Sequence, residues 1–80
     1  MTPLEKSKRA VGLLKEAILE QIELSENGIG NSDLARKLDL ESDFEGSQKN
    51  YLSWSILGLL VNERRVKYEK VGTKKLYFKA

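Results

Sequence analysis

Residues 47–62, SQKNYLSWSILGLLVN, decide how this chain is read. The stretch has no proline and is long enough for a helix. At about 100° per residue its side chains divide into two faces. Leu52, Ile56, Leu57, Leu59 and Leu60 fall on a broad apolar face. Ser47, Gln48, Tyr51, Ser55, Gly58 and Asn62 fall on a narrow arc of small and hydrogen-bonding groups. A merely solvated helix face carries Glu and Lys. This arc is nearly uncharged, as expected of a face that meets something. Two readings stand at this point. The arc meets the edges of DNA bases, or the helix is buried and its small residues allow close packing.

Downstream the charge changes character. Residues 1–63 carry Lys6, Lys8, Arg9, Lys15, Arg36, Lys37 and Lys49 against eleven acids. Residues 64–80 carry Arg64, Arg65, Lys67, Lys70, Lys74, Lys75 and Lys79 against Glu69 alone, seven minus one, or +6. Positive charge concentrated in this way is the electrostatic footprint of nucleic-acid binding. The same tail alternates like a strand pair. Residues 65–71 place Val66 and Tyr68 on one face and Arg65, Lys67 and Glu69 on the other. Gly72-Thr73 suits a two-residue turn, and residues 75–79 return with Leu76 and Phe78 opposite Tyr77.

Upstream, Thr2-Pro3-Leu4-Glu5 is a helix start, with Thr2 as N-cap, Pro3 at the first helical position and Glu5 closing a capping box. The helix is expected to reach about Ser25, stopped by Asn27-Gly28. Leu4, Val11, Leu14, Ile18 and Ile22 form its apolar stripe, and Ala10, Leu13, Ala17 and Leu24 form a second shoulder. So long a rod overhangs so small a core, and the shoulder offers a surface for a homodimer. Ile29 is an inward anchor in a very short strand. A second helix starts at Gly30, Asn31 or Ser32 and runs to Leu38, with Leu34, Ala35 and Leu38 inward and Arg36 and Lys37 outward. Ser42-Asp43-Phe44-Glu45 matches a capping box, but a helix continued through Gly46 brings Phe44 onto the polar arc. The expectation is a short helical turn, a break at Gly46 and a restart at Ser47.

Composition narrows the chemistry. The 80 residues make one small domain, with a net charge of +2 and neither Cys nor His. Disulfides and thiolate chemistry are excluded, and the commonest general base and metal ligand are missing. Glu41, Asp43 and Glu45 alternate as in a calcium loop, but the glycine and distal glutamate spacing is wrong. No enzyme activity, cofactor, metal or small-molecule ligand is expected. No apolar run approaches the ~20 residues of a membrane span, and residues 2–9 are too charged for a signal peptide. A cytoplasmic protein with no membrane partner is expected.

Helix, short apolar link, helix, turn, helix, then a basic hairpin resembles a winged helix-turn-helix DNA-binding domain: mainly α with a C-terminal β-hairpin, a three-helix core plus wing. Gly30-Asn31-Ser32-Asp33-Leu34-Ala35-Arg36-Lys37-Leu38-Asp39-Leu40 looks like the family's second helix and turn. Leu60-Val61-Asn62-Glu63-Arg64-Arg65-Val66 looks like the passage from third helix to wing. Asp39 and Arg64 stand where the family often has glycine, and the acidic link over residues 41–46 is longer than a simple turn. The resemblance implies a third helix in the major groove of double-stranded DNA. Ser47, Gln48, Lys49, Asn50, Tyr51 and Ser55 are then the base-side candidates. Arg36, Lys37, Lys70, Thr73, Lys74 and Lys75 are the backbone candidates. Trp54 flanks the arc and is expected to be a partly buried core or interface aromatic. The implied role is a small transcriptional regulator or the DNA-reading domain of a larger DNA-processing enzyme such as a restriction endonuclease. A protein-docking module of the same fold is the alternative.

Overall fold

The computed structural model describes residues 1–42 and 50–80. The expected turn, break and restart between Asp43 and Ser47 lie outside the described residues, as do the base-side candidates Ser47, Gln48 and Lys49. The described chain forms α1 (Pro3–Glu23), α2 (Asn31–Lys37), α3 (Tyr51–Asn62), β1 (Val66–Val71) and β2 (Lys74–Lys79). This is a small, mainly helical unit closed by a two-stranded antiparallel hairpin.

α1 begins as its sequence dictates. The Thr2 hydroxyl accepts from the Glu5 N–H and the Glu5 carboxylate accepts from the Thr2 N–H, each at 3.1 Å. Two of the helix's unpaired N–H groups are thereby satisfied. Its stripe is buried only in part. Ile18 and Ile22 are buried, Val11 and Leu14 pack against the core, but Leu4 is 63 % exposed. Residues 1–10 are exposed throughout, so the helix overhangs and its first turns pack on nothing among the described residues. No helix among the described residues is long and apolar enough to cross a membrane.

Ile29 is the inward anchor. It is buried, and it exchanges both backbone hydrogen bonds with Tyr77, at 3.1 and 2.9 Å. A single bridge thus covers the outer edge of β2. Gly28 precedes it at φ 83, where a Cβ would stand 2.6 Å from the Phe78 ring. Both the backbone and the close ring require glycine there.

Both short helices end in the same motif. After α2, Leu40 N–H donates to the Ala35 carbonyl and Asp39 N–H to the Arg36 carbonyl. After α3, Arg65 N–H donates to the Leu60 carbonyl and Arg64 N–H to the Val61 carbonyl. This is the Schellman arrangement, whose pivot lies in the left-handed region and favours glycine. Asp39 at φ 55 and Arg64 at φ 60 occupy the two pivots. A side chain there costs about 1–2 kcal/mol, and glycine's extra unfolded-state entropy offsets part of the relief. Arg64→Gly is therefore expected to stabilise the fold by about 0.5–1 kcal/mol, read as a Tm higher by a few degrees. An unchanged or lower Tm would show that the Arg64 side chain makes compensating contacts.

The hairpin turns at Gly72, whose φ of 66 suits the first central position of a two-residue loop. Its register pairs Tyr68 with Tyr77, Lys70 with Lys75 and Lys67 with Phe78. One face therefore carries Val66, Tyr68, Lys70, Lys75 and Tyr77, and Val66 and Tyr77 are buried in the core. Ion pairs tie the ends of the fold together. Lys79 donates to Glu23 at 2.7 Å and Lys15 to Glu63 at 2.5 Å. Hydrogen bonding to these ammonium groups holds both carboxyls below the usual Glu range. A lowered folded pKa adds stability above the unfolded pKa and loses it as pH falls through the folded value. Thermal melts should show a modest acid destabilisation below the usual Glu range, since exposed pairs are weak. The double variant Glu23→Gln, Glu63→Gln should flatten that limb.

Candidate nucleic-acid interface

α3 packs against α1, α2 and β1. Its buried residues are Ser53, Ile56, Leu57 and Leu60. The apolar face expected from the sequence is rotated. Leu52 and Leu59 are 45 % and 42 % exposed, and Ser53 is fully buried in their stead. A hydroxyl is tolerated there because it is hydrogen-bonded. Ser53 Oγ donates to Asn31 Oδ1 at 2.5 Å and lies 3.2 Å from the Asn50 carbonyl. Asn31 Nδ2 also donates to that carbonyl, at 3.2 Å, and Asn50 Nδ2 donates to Ser32 Oγ at 3.0 Å. These bonds fix the start of α3 against the start of α2.

The network gives Asn50 a different place from the one expected. Its amide group is engaged by Ser32, and its Oδ1 is buried with no partner among the described residues. It links the starts of α2 and α3, with its amide nitrogen turned to Ser32. The rest of the described arc does face outward. Tyr51, Ser55, Gly58 and Asn62 are exposed. A Cβ at Gly58 would meet nothing within 4 Å, so close packing does not explain that glycine. Apolar groups flank the arc, Leu52 and Leu59 on one side and Trp54 on the other.

Trp54, expected as a partly buried core or interface aromatic, is 56 % exposed, stands outside the core and lines two clefts. The first, of about 500 Å³, lies between α2, α3 and β2, and Asn31, Ser32, Asp33, Arg36, Trp54, Lys74 and Lys75 line it. The second, of about 520 Å³, lies between the outer face of α3 and the hairpin and includes Ser55, Gly58, Leu59, Tyr68 and Lys75. Arg36 is paired with Asp33 inside the first. Lys75 reaches both clefts, with its Nζ 4.3 Å from the centroid of the Tyr68 ring. Tyr68 in turn packs at 6.0 Å and 54° on Tyr77, whose phenol is pushed up by burial.

The expected backbone group is thus partly assembled. Arg36, Lys74 and Lys75, far apart in sequence, line one cleft. Lys70 is exposed directly opposite Lys75 in the hairpin. Lys37 and Thr73 are exposed but line neither of these clefts. The sequence did not show how far Trp54 stands out of the core, because the azimuth of α3 depends on what packs behind it. The chain matches no protein-family model, no curated protein and no solved structure.

Proposed function

We propose that this chain binds duplex DNA as a winged helix-turn-helix domain, with α3 directed to the major groove and the hairpin as the wing along the backbone. The observation that supports this most is the cleft shared by Arg36, Lys74 and Lys75. Three cations from two distant segments converge beside the outward arc of α3. Lys70 and Lys75 add a like-charge pair directly across the hairpin, an arrangement that costs stability alone and is relieved by a polyanion. Tyr51 and Ser55 are the described groups on α3 that would meet base edges. Leu13 on α1 and Leu24 at its C-cap, 58 % and 78 % exposed, are the surface through which two such domains would pair. The DNA-binding unit would serve a transcriptional regulator or a larger DNA-processing enzyme.

The test is an amide chemical-shift map against a duplex of mixed sequence at low salt. Shifts concentrated at Tyr51–Ser55 and Lys70–Lys75 are expected. Absence of shifts would sink the reading. It would instead promote a second one, a protein-docking module, which the exposed Leu52, Trp54 and Leu59 favour.

A further inference from the structure

The described outer face of α3 offers more than contacts to the edges of paired bases. Between Tyr51 and Asn62 its exposed hydrogen-bonding side chains are Tyr51, Trp54, Ser55 and Asn62, and it carries no charge. It does present a large π surface at the rim of a cationic cleft. Trp54 is 56 % exposed there, and Arg36, Lys74 and Lys75 share the lining. Inside a duplex both faces of a base are covered by its neighbours, so an indole cannot stack on it. An unpaired base leaves the stack at least cost, which uncovers its faces, and its flanking phosphates follow it.

We propose that the cleft between α2, α3 and β2 takes a single unpaired nucleobase, stacked on Trp54, with its flanking phosphates held by Arg36, Lys74 and Lys75. The cleft, at about 500 Å³, lies within the roughly 300–1,000 Å³ usual for small-ligand sites. Its one carboxylate among the described residues is Asp33, held by Arg36. That group repels phosphate but accepts a hydrogen bond from the exocyclic amino group of adenine, cytosine or guanine, which orients the base inward. The backbone is steered by the three cations, and discrimination between stacked and unstacked nucleotides rests on Trp54. The inference depends on the DNA-binding reading for its electrostatics and adds the kind of site preferred.

Trp54 is the sole tryptophan of the chain, so its fluorescence reports the stacking directly. Three probes share one duplex sequence: fully paired, carrying one unpaired adenosine, and carrying an abasic nucleotide at the same point. The unpaired adenosine should quench the emission and bind more tightly than the abasic probe by roughly 5- to 150-fold, the usual worth of one base stacked on an aromatic side chain. Trp54→Ala should abolish that preference, bringing the adenosine and abasic probes to equal affinity. Trp54→Phe should restore part of it. Because the side chain is more than half exposed, neither variant is expected to change Tm much. Equal affinity for the adenosine and abasic probes, or a preference that survives Trp54→Ala, would overturn the proposal. Failure of all three probes to bind would instead overturn the DNA-binding reading beneath it.

Discussion

The double variant Lys74→Ala, Lys75→Ala is expected to bind every duplex more weakly, by on the order of 10- to 100-fold at ~0.1 M salt. The reason is counterion release. Each phosphate neutralised by a lysine frees condensed cations, and the logarithm of affinity falls with the logarithm of salt by about 0.9 per contact. Two contacts removed should lower that slope by nearly 2. Both lysines line the first cleft, and Lys75 reaches the second as well. The loss should be uniform across sequences, since phosphate contacts carry little base information. Lys75 also covers the Tyr68 ring, so its loss has a structural component beside the electrostatic one. A melt of the variant separates the two, because an exposed cation–π contact is worth only about 0.5–1 kcal/mol. Binding as tight as the parent, with the same salt slope, would remove the hairpin from the interface.

Leu57→Ala is expected to have the largest effect on stability. Leu57 is fully buried at the centre of the core with Ile18, Leu34 and Leu60. Truncating such a leucine costs about 3–5 kcal/mol, as lost transfer energy plus the cavity left behind. An 80-residue domain has roughly 4–12 kcal/mol in total. The variant should therefore melt roughly 15 °C lower or more, or fail to fold at all. Leu59→Ala is the control. Leu59 is 42 % exposed, and its loss should cost well under half as much. The sequence pattern places both leucines on one apolar face. The structure puts one inside and one outside, and urea titration of the pair distinguishes them. Similar losses for both would mean that α3 is rotated toward Leu59.

That contrast shows what the sequence could carry and where it stopped. Features settled by local chemistry were legible: the Thr2–Glu5 capping box, the inward Ile29, the Gly72 turn and the alternation of Tyr68 and Tyr77 against Lys67 and Phe78. Each depends on neighbours within a few positions, or on side-chain period alone. The orientation of α3 was not of this kind. Leucines and Trp54 surround much of the helix, so apolarity alone leaves its azimuth undetermined. Ser53, which looks like a surface residue, is buried because Asn31 and Asn50 happen to lie within hydrogen-bond reach. The same long-range pairing turns Asn50 inward. Among the site residues, Arg36, Lys74 and Lys75 could be chosen by charge and position. Trp54 could not be placed as a rim residue without knowing which side of the helix the core occupies.

The facing of Lys70 and Lys75 across the hairpin has an effect beyond recognition. Added salt screens their mutual repulsion and so firms the hairpin. The same salt loosens the grip of those lysines on a polyanion. Folding and association therefore answer ionic strength with opposite signs. Raised salt favours an intact, unoccupied domain, and dilute buffer favours an occupied one whose hairpin leans on its partner for stability. The melting temperature of the isolated chain should rise with salt. That of the complex should fall, and the two curves should converge where occupancy is lost.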